Sequence, residues 1–181
     1  SSGGGGGNQQ VSVLFKKIPF SSANFPGYGS NGMDCLRLSD YIIRAILGSN
    51  ANVGDVNNAY FLKKSDGKGN VIITGNAKTA SELIINHLNA NRPIKVGVDY
   101  RNGGNQSDHL TDHWIVINGR GYDNVKQQIY FNYIETGRSK DAASMAVGDN
   151  RLYYNADEGT ISGPKWTNKQ IYNVVQIRPN K

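Results

Sequence analysis

The chain has 181 residues, 38% of them hydrophobic, which is enough to build one domain with a substantial core. Its formal net charge of +6 and pI near 9.4 favour anionic surroundings such as nucleic acid, acidic lipid or an anionic cell-wall polymer. The sequence contains no dense Lys/Arg run with interleaved aromatics, no zinc-finger spacing and no apolar run long enough to cross a bilayer, so we expect neither a nucleic-acid partner nor a membrane span.

The N-terminal residues 1–10 read SSGGGGGNQQ and contain no side chain able to bury apolar surface. They predict a flexible Gly-rich linker or an expression scar. Residues 11–181 are expected to form a single domain. Its first part, up to residue 34, carries one short apolar run followed by a loop rich in Pro, Gly, Ser and Asn.

Two segments have helical periodicity. In DCLRLSDYIIRAILG, apolar residues recur at helical spacing, which predicts a helix from about Cys35 to Leu47 with Asp34 as its N-cap. A second helix is predicted in TASELIINHLNANRP, which ends before Pro93.

Strand patterns dominate the second half of the chain. The segments IKVGVDYR, HWIVING, QIYFNYIE, RLYYNA and IYNVVQIR are rich in β-branched and aromatic residues and are separated by Gly, Asn and Asp. Because the helices come first and the strands later, the order predicts an α+β fold in which a largely antiparallel sheet packs against one or two helices.

The only cysteine, Cys35, falls at the predicted start of the first helix. A single cysteine is a small buried apolar side chain, a metal ligand or a nucleophile. The positive end of a helix dipole and its unpaired N–H groups favour the thiolate, which is the nucleophilic form. Catalysis by this thiol would also require a base and a group that orients the base.

A histidine suited to act as that base is His113, because SDHLTDHWIVINGRGYD runs from a polar loop into an apolar strand with His113 at the strand's mouth. His109, four residues earlier, is a reserve candidate. Together with Asp108 and Asp112 the two histidines also raise the question of a metal site. Their i, i+4 spacing converges only on a helix, which this segment does not resemble, so we expect no metal and no other cofactor.

The orienting group is expected on the next strand of a hairpin. If the turn centres near Asn124, His113 faces Glu135 across the ladder. A register shifted by an odd number of residues would favour Asn132, on the other face, instead. Glu135 is the first choice and Asn132 the second.

Acyl transfer also needs hydrogen-bond donors for the developing oxyanion. The backbone N–H of Cys35 is one candidate by position. Asn31, in the loop just before the helix, is the candidate for the second donor, with Asn24 as an alternative.

The chain order of cysteine, histidine, then acid or amide resembles the papain-like fold group. The likeness is carried by residues 29–47 and by residues 92–123, RPIKVGVDYRNGGNQSDHLTDHWIVINGRGYD. Within that group the chain is more similar to bacterial cysteine peptidases and amidases, including NlpC-type cell-wall hydrolases and bacteriocin-leader peptidases, and also to amidase effectors of type VI secretion. Gly29 stands where papain carries the glutamine six residues before its cysteine, so that oxyanion donor does not transfer.

The resemblance implies a papain-like α+β domain in which an N-terminal helix carries the nucleophile Cys35 and packs on the sheet, with His113 as base and Glu135 or Asn132 as third member. It further implies a cysteine amidase or endopeptidase that cleaves the stem peptides of bacterial peptidoglycan. Such an enzyme would be a secreted antibacterial effector acting in the periplasm or cell wall of a target bacterium, with an immunity protein as a further expected partner.

Two other functions remain open from the sequence. One is a deamidase or transglutaminase-like toxin that uses the same three residues on a protein glutamine. The other is a non-catalytic module, rich in Tyr and Trp, that binds the cell wall or a carbohydrate.

Overall fold

A computed structural model of the chain describes residues 15–101, 108, 110–167 and 169–181. The linker predicted for residues 1–10 lies outside the described residues. The α-helices of the described chain are α1 (Cys35–Leu47), α2 (Ala77–Asn89) and α3 (Ala143–Ala146). Its strands are β1 (Lys16–Lys17), β2 (Tyr60–Phe61), β3 (Lys63–Ser65), β4 (Val71–Ile73), β5 (Ile94–Asp99), β6 (His113–Asp123), β7 (Gln128–Ile134), β8 (Asn150–Asn155), β9 (Thr160–Pro164) and β10 (Ile171–Arg178).

Helix α1 forms where the sequence predicts it. The Asp34 side chain accepts a 2.9 Å hydrogen bond from the backbone N–H of Arg37, and so satisfies one of the donors that a helix start leaves unpaired. Leu38 and Ile42, one turn apart, are fully buried. At the other end, Gly48 has a φ of 109° and stops the helix. The prediction of a helix from Cys35 to Leu47 with Asp34 as N-cap is confirmed.

The main sheet closes on itself. Its strands lie in the order β6, β5, β10, β9, β8 and β7, and β7 pairs back with β6, which gives a closed antiparallel barrel of six strands. The short strands β1 and β2 add to β6 and β10 from outside this ring, whereas β3 and β4 form a separate two-stranded sheet.

The predicted fold class, a papain-like α+β domain with the nucleophile's helix packed on a largely antiparallel sheet, is therefore wrong. The structure is mostly a closed barrel with three short helices in its described part. The five predicted strand segments are present as β5, β6, β7, β8 and β10. The strand of the ring that the sequence does not predict is β9, because its sequence TISGP contains Gly and Pro and lacks a strand pattern. β9 joins β8 to β10, and without it the ring cannot close.

The barrel encloses the main core. Every strand of the ring contributes a fully or almost fully buried apolar side chain, among them Val96, Ile115, Phe131, Leu152, Ile161 and Val174. Helix α2 adds Ile84 and Leu88 to this cluster. Helix α1 packs on the outer face of β6 and β7, where Leu38, Ile42 and Ile43 meet Val116 and Ile134. This packing fixes the start of α1 relative to the start of β6.

A β-bulge in β6 changes which of its residues face the interior. Asp123 pairs with Gln128, so the turn lies beyond the predicted centre at Asn124, and the register shifts between Ile117 and Gly119. Asn118 is the extra residue. Its backbone carbonyl accepts from the N–H of Ile18 at 2.7 Å, and its side-chain amide donates to the Ile18 carbonyl at 3.0 Å. The predicted register, in which His113 lies directly opposite Glu135, is therefore wrong.

Candidate functional site

Cys35 occupies the first residue of α1 and is partly exposed. Its backbone N–H is one of the groups that an α-helix leaves without an intrahelical partner. The loop before it is fixed at two points, because the N–H of Tyr28 donates to the Arg138 carbonyl at 2.8 Å and that of Gly29 donates to the Met33 carbonyl at 3.0 Å. The thiol is thus held at a helix start and remains open to solvent.

His113 begins β6 and is almost fully buried, with 9% of its surface exposed. Its Nε2 donates to the Glu135 carboxylate oxygen Oε1 at 2.5 Å. The Thr136 hydroxyl donates to the Trp114 carbonyl at 2.5 Å and lies 3.3 Å from the same Nε2, so it faces that nitrogen with its oxygen lone pairs. Both contacts place a proton on Nε2, which leaves Nδ1 as the nitrogen available to Cys35.

Glu135 is fully buried and follows directly after β7. Besides His113, it accepts hydrogen bonds from the Gly137 N–H at 2.8 Å and from the Tyr172 hydroxyl at 2.7 Å. Burial by itself would raise the pKa of Glu135, but the hydrogen bond and charge of His113, with these two further donors, hold the pKa below its ordinary value of 4.5. Glu135 is therefore a buried carboxylate aimed at the imidazole.

The protonation of His113 depends on Cys35 as well as on Glu135. Burial by itself lowers the pKa of His113, but hydrogen bonds to the Cys35 side chain and to Glu135, together with the negative charges of both groups, raise it from 6.5 to about 9. At neutral pH the imidazole is then an imidazolium between a carboxylate and a sulfur.

These groups open into a cleft of about 300 Å³. Its lining includes Cys35 and His113, the aromatic side chains of Tyr28, Tyr100, Trp166 and Tyr172, and the charged side chains of Arg101, Asp112 and Lys165. The cleft has room for a segment of a substrate chain next to the sulfur.

The structure therefore brings Cys35, His113 and Glu135 together, as the sequence predicts. The alternative third member, Asn132, lies on the other face of β7, and its amide donates to Asp149 at 2.8 Å. Asn31 and Asn24 lie in short, exposed 3-10 turns and are not part of the cleft lining.

His109, the reserve base, lies outside the described residues. Its neighbour Asp108 holds the chain just before β6, where it accepts from the backbone N–H groups of Leu110 and Thr111 at 3.0 and 2.9 Å. In the described part of the chain, no group of three or more His, Cys, Asp and Glu side chains is arranged to hold a metal ion. Nor does any helix among the described residues have the length and apolar character needed to cross a membrane.

Several residues of the site escape the sequence analysis, among them Tyr172, Gly137 and Tyr28. Tyr172 lies on β10, where it pairs with Gly163 of β9. Because β9 is not predicted, the sequence does not place Tyr172 near the site. Gly137 follows two residues after Glu135, and a Cβ there would lie 3.1 Å from the Glu135 Oε1 atom. Tyr28 lines the cleft from the loop in which Asn31 was expected to do so. Only Gly137 has a local signal in the sequence, because it ends the ETG segment that directly follows a predicted strand.

Comparisons of this chain with protein-family models, with curated proteins and with solved structures give no match. The interpretation of the site therefore depends on the residues and distances given above.

Proposed function

We propose that the protein is a cysteine hydrolase of amide bonds in which Cys35 is the nucleophile, His113 the proton carrier and Glu135 the residue that orients His113. The observation that supports this most is the position of one imidazole. It contacts the Cys35 thiol and, through Nε2, a fully buried carboxylate 2.5 Å away. This is the nucleophile, base and orienting acid that thiol catalysis requires.

A buried His–Glu pair also occurs as a purely structural ion pair. Two features favour catalysis here. Cys35 is partly exposed and lines an open cleft, whereas a structural cysteine is most often enclosed by apolar side chains. His113 lies at the same cleft, so a bound substrate would meet both groups.

The geometry supports a two-step reaction. The Cys35 thiolate attacks the carbonyl carbon of the amide, and the carbonyl π electrons move to oxygen. When the tetrahedral intermediate collapses, the C–N bond breaks and the His113 imidazolium gives its proton to the departing amine. The now neutral His113 takes a proton from water, the hydroxide attacks the thioester, and the C–S bond breaks to release the acid and restore the thiolate.

Each developing oxyanion needs a hydrogen-bond donor. The backbone N–H of Cys35 suits this role because it lies at the first position of α1 and has no intrahelical acceptor. Glu135 keeps the imidazole in place through both steps, because its Oε1 bonds Nε2 and its Oε2 is held by Tyr172.

As substrate we propose the stem peptides of bacterial peptidoglycan, with the protein acting as a secreted effector in the periplasm or cell wall of a target bacterium. The excess of basic residues supports this choice, since a net charge of +6 favours binding to an anionic wall polymer.

The test is digestion of purified sacculi. The wild-type protein should release soluble stem-peptide fragments with new amino groups, and Cys35→Ala should release none while its melting temperature stays nearly unchanged. Chromatography of the products separates peptide cleavage from ammonia release, which a deamidase would give instead.

The two described histidines supply a matched control. His87 bonds to Leu83 and Asn180 away from the cleft, so His87→Gln should keep activity at neutral pH, whereas His113→Gln should lose it. Full activity of Cys35→Ala, or equal activity of the two histidine variants, would reject the proposed mechanism.

A further inference from the structure

Cations and aromatic rings alternate along one wall of the cleft. The Lys165 ammonium lies 4.0 Å from the ring centre of Tyr100 and 5.8 Å from that of Trp166. The Arg101 guanidinium lies 4.9 Å from the same Tyr100 ring, and that of Arg138 lies 4.0 Å from Trp166. Such contacts fix a cation in place without neutralising it.

Only one of these three cations faces a carboxylate. Arg101 lies 3.4 Å from Asp112, a fully buried carboxylate that also accepts from the backbone N–H groups of Tyr100 and Arg101. No Asp or Glu of the described chain lies within ion-pair distance of Lys165 or Arg138. The wall therefore carries surplus positive charge beside the nucleophile.

Among the described residues, one N–H donor of Lys165 has no hydrogen-bond acceptor. Its ammonium group has three N–H donors, of which one is directed to the Gln170 side-chain oxygen at 3.1 Å and another faces the Tyr100 ring. Arg138 contributes a second positive charge at Trp166, and its Nη2 contacts the sulfur of Met145 at 2.8 Å. Both cations are thus held in position before any ligand arrives.

We propose that Lys165, supported by the charge of Arg138 at the same Trp166 ring, forms a subsite that binds a free carboxylate of the substrate next to the bond that Cys35 attacks. The inference rests on the proposed function, because it assigns the substrate of the same thiol. The subsite would favour peptides that carry an ionised carboxylate near the scissile amide, such as stem peptides with free acidic groups. Peptides in which these groups are amidated would be poorer substrates.

Alkylation of Cys35 tests the subsite without requiring a known substrate. Iodoacetate and iodoacetamide react alike: the thiolate sulfur forms a bond to carbon and the C–I bond breaks to release iodide. Iodoacetate carries a negatively charged carboxylate where iodoacetamide carries a neutral amide. The rate of each reagent with Cys35 is divided by its rate with free N-acetylcysteine, which corrects for intrinsic reactivity. We expect this normalised rate to be higher for iodoacetate than for iodoacetamide at neutral pH and low ionic strength.

The size of this preference follows from the dimensions of the cleft. A sphere of the cleft's volume is about 8 Å across, and a charge acting over that distance in a partly hydrated site changes the rate by about threefold to tenfold. Lys165→Met should reduce the preference by that factor, Lys165→Glu should reverse it, and high salt should weaken it in the wild type.

Lys126 is the matched control, because its ammonium also lies 4.1 Å from a tyrosine ring, that of Tyr153. It lies in the turn between β6 and β7, at the end of the hairpin away from His113. Lys126→Met should leave the preference unchanged. Equal preferences in the wild type and Lys165→Met would reject the carboxylate subsite alone. A Cys35 that neither reagent labels would reject the proposed function, and with it this inference.

A pair of peptide substrates then identifies the source of the carboxylate. One peptide carries Glu beside the scissile bond and its partner carries Gln, and both are made with a free and with an amidated C-terminus. We expect Lys165→Met to reduce kcat/KM for the carboxylate form about tenfold or more and to leave the amide form within about twofold. An equal loss for all four peptides would contradict the subsite.

Discussion

Replacing Glu135 with Gln removes the charge that holds His113 and keeps the side-chain shape. In the wild type the pKa of His113 is about 9, compared with an ordinary 6.5, which corresponds to about 3 kcal/mol of preferential stabilisation of the imidazolium. In Glu135→Gln the burial that lowers this pKa remains, while one of the two groups that raise it is lost. We expect the pKa of His113 to fall, because the hydrogen bond to the Glu135 carboxylate and its negative charge are lost.

The same substitution changes stability in a defined direction. Because the pKa of His113 is higher in the folded than in the unfolded chain, its contribution to stability is full below pH 6.5 and is lost as pH rises through about 9. The difference in free energy of unfolding between wild type and Glu135→Gln should therefore be at most about 3 kcal/mol at pH 6, should shrink between pH 6.5 and 9, and should be largely lost above pH 9.

The assay is an NMR titration of the histidine ring carbons in wild type and Glu135→Gln, with the His113 signal identified by its loss in His113→Gln. Urea denaturation across the same pH range gives the free energies. The reasoning is refuted if His113 titrates near 6.5 in the wild type, or if Glu135→Gln leaves its titration in place.

Three further substitutions test the surroundings of the site. Tyr172→Phe leaves a buried oxygen of Glu135 without its donor, and should lower the free energy of unfolding in urea by about 1–3 kcal/mol. Asp34→Ala removes the N-cap of α1 and should cost about 1 kcal/mol by the same measurement. His87 accepts a hydrogen bond from the Asn180 N–H and burial lowers its pKa, so stability should fall as pH drops below 6.5, and less so in His87→Gln.

Much of the site could be predicted because its signals are local. The start of α1 is marked by Asp34 and by the apolar spacing that follows, which is enough to place Cys35 at a helix start. The change from a polar loop to an apolar strand marks His113 as the first residue of β6. Both signals depend on neighbours within a few residues, and such signals can be read from one sequence.

Closure of the barrel could not be predicted in this way. It depends on β9, a strand of five residues that includes Gly163 and Pro164. Gly163 is needed there because a Cβ would lie 2.2 Å from the Arg151 carbonyl oxygen on β8. Gly163 thus lets β8 and β9 approach each other. The same residue also interrupts the run of β-branched side chains by which β9 could be recognised as a strand.

The sequence predicts the contact between His113 and Glu135 from a register that the structure does not have. The contact nevertheless exists, and the one extra residue in β6, Asn118, explains why. On β7, alternate residues face the barrel interior, and Glu135 continues that series. Near the turn these residues oppose even-numbered residues of β6, so an uninterrupted ladder would pair Glu135 with Val116, away from His113. The bulge at Asn118 moves the odd-numbered residues of β6 to the interior, where His113 becomes a diagonal neighbour of Glu135. Ile18, whose backbone N–H and carbonyl bond the carbonyl and the side-chain amide of Asn118, therefore supports the site from the middle of β6, five residues from His113.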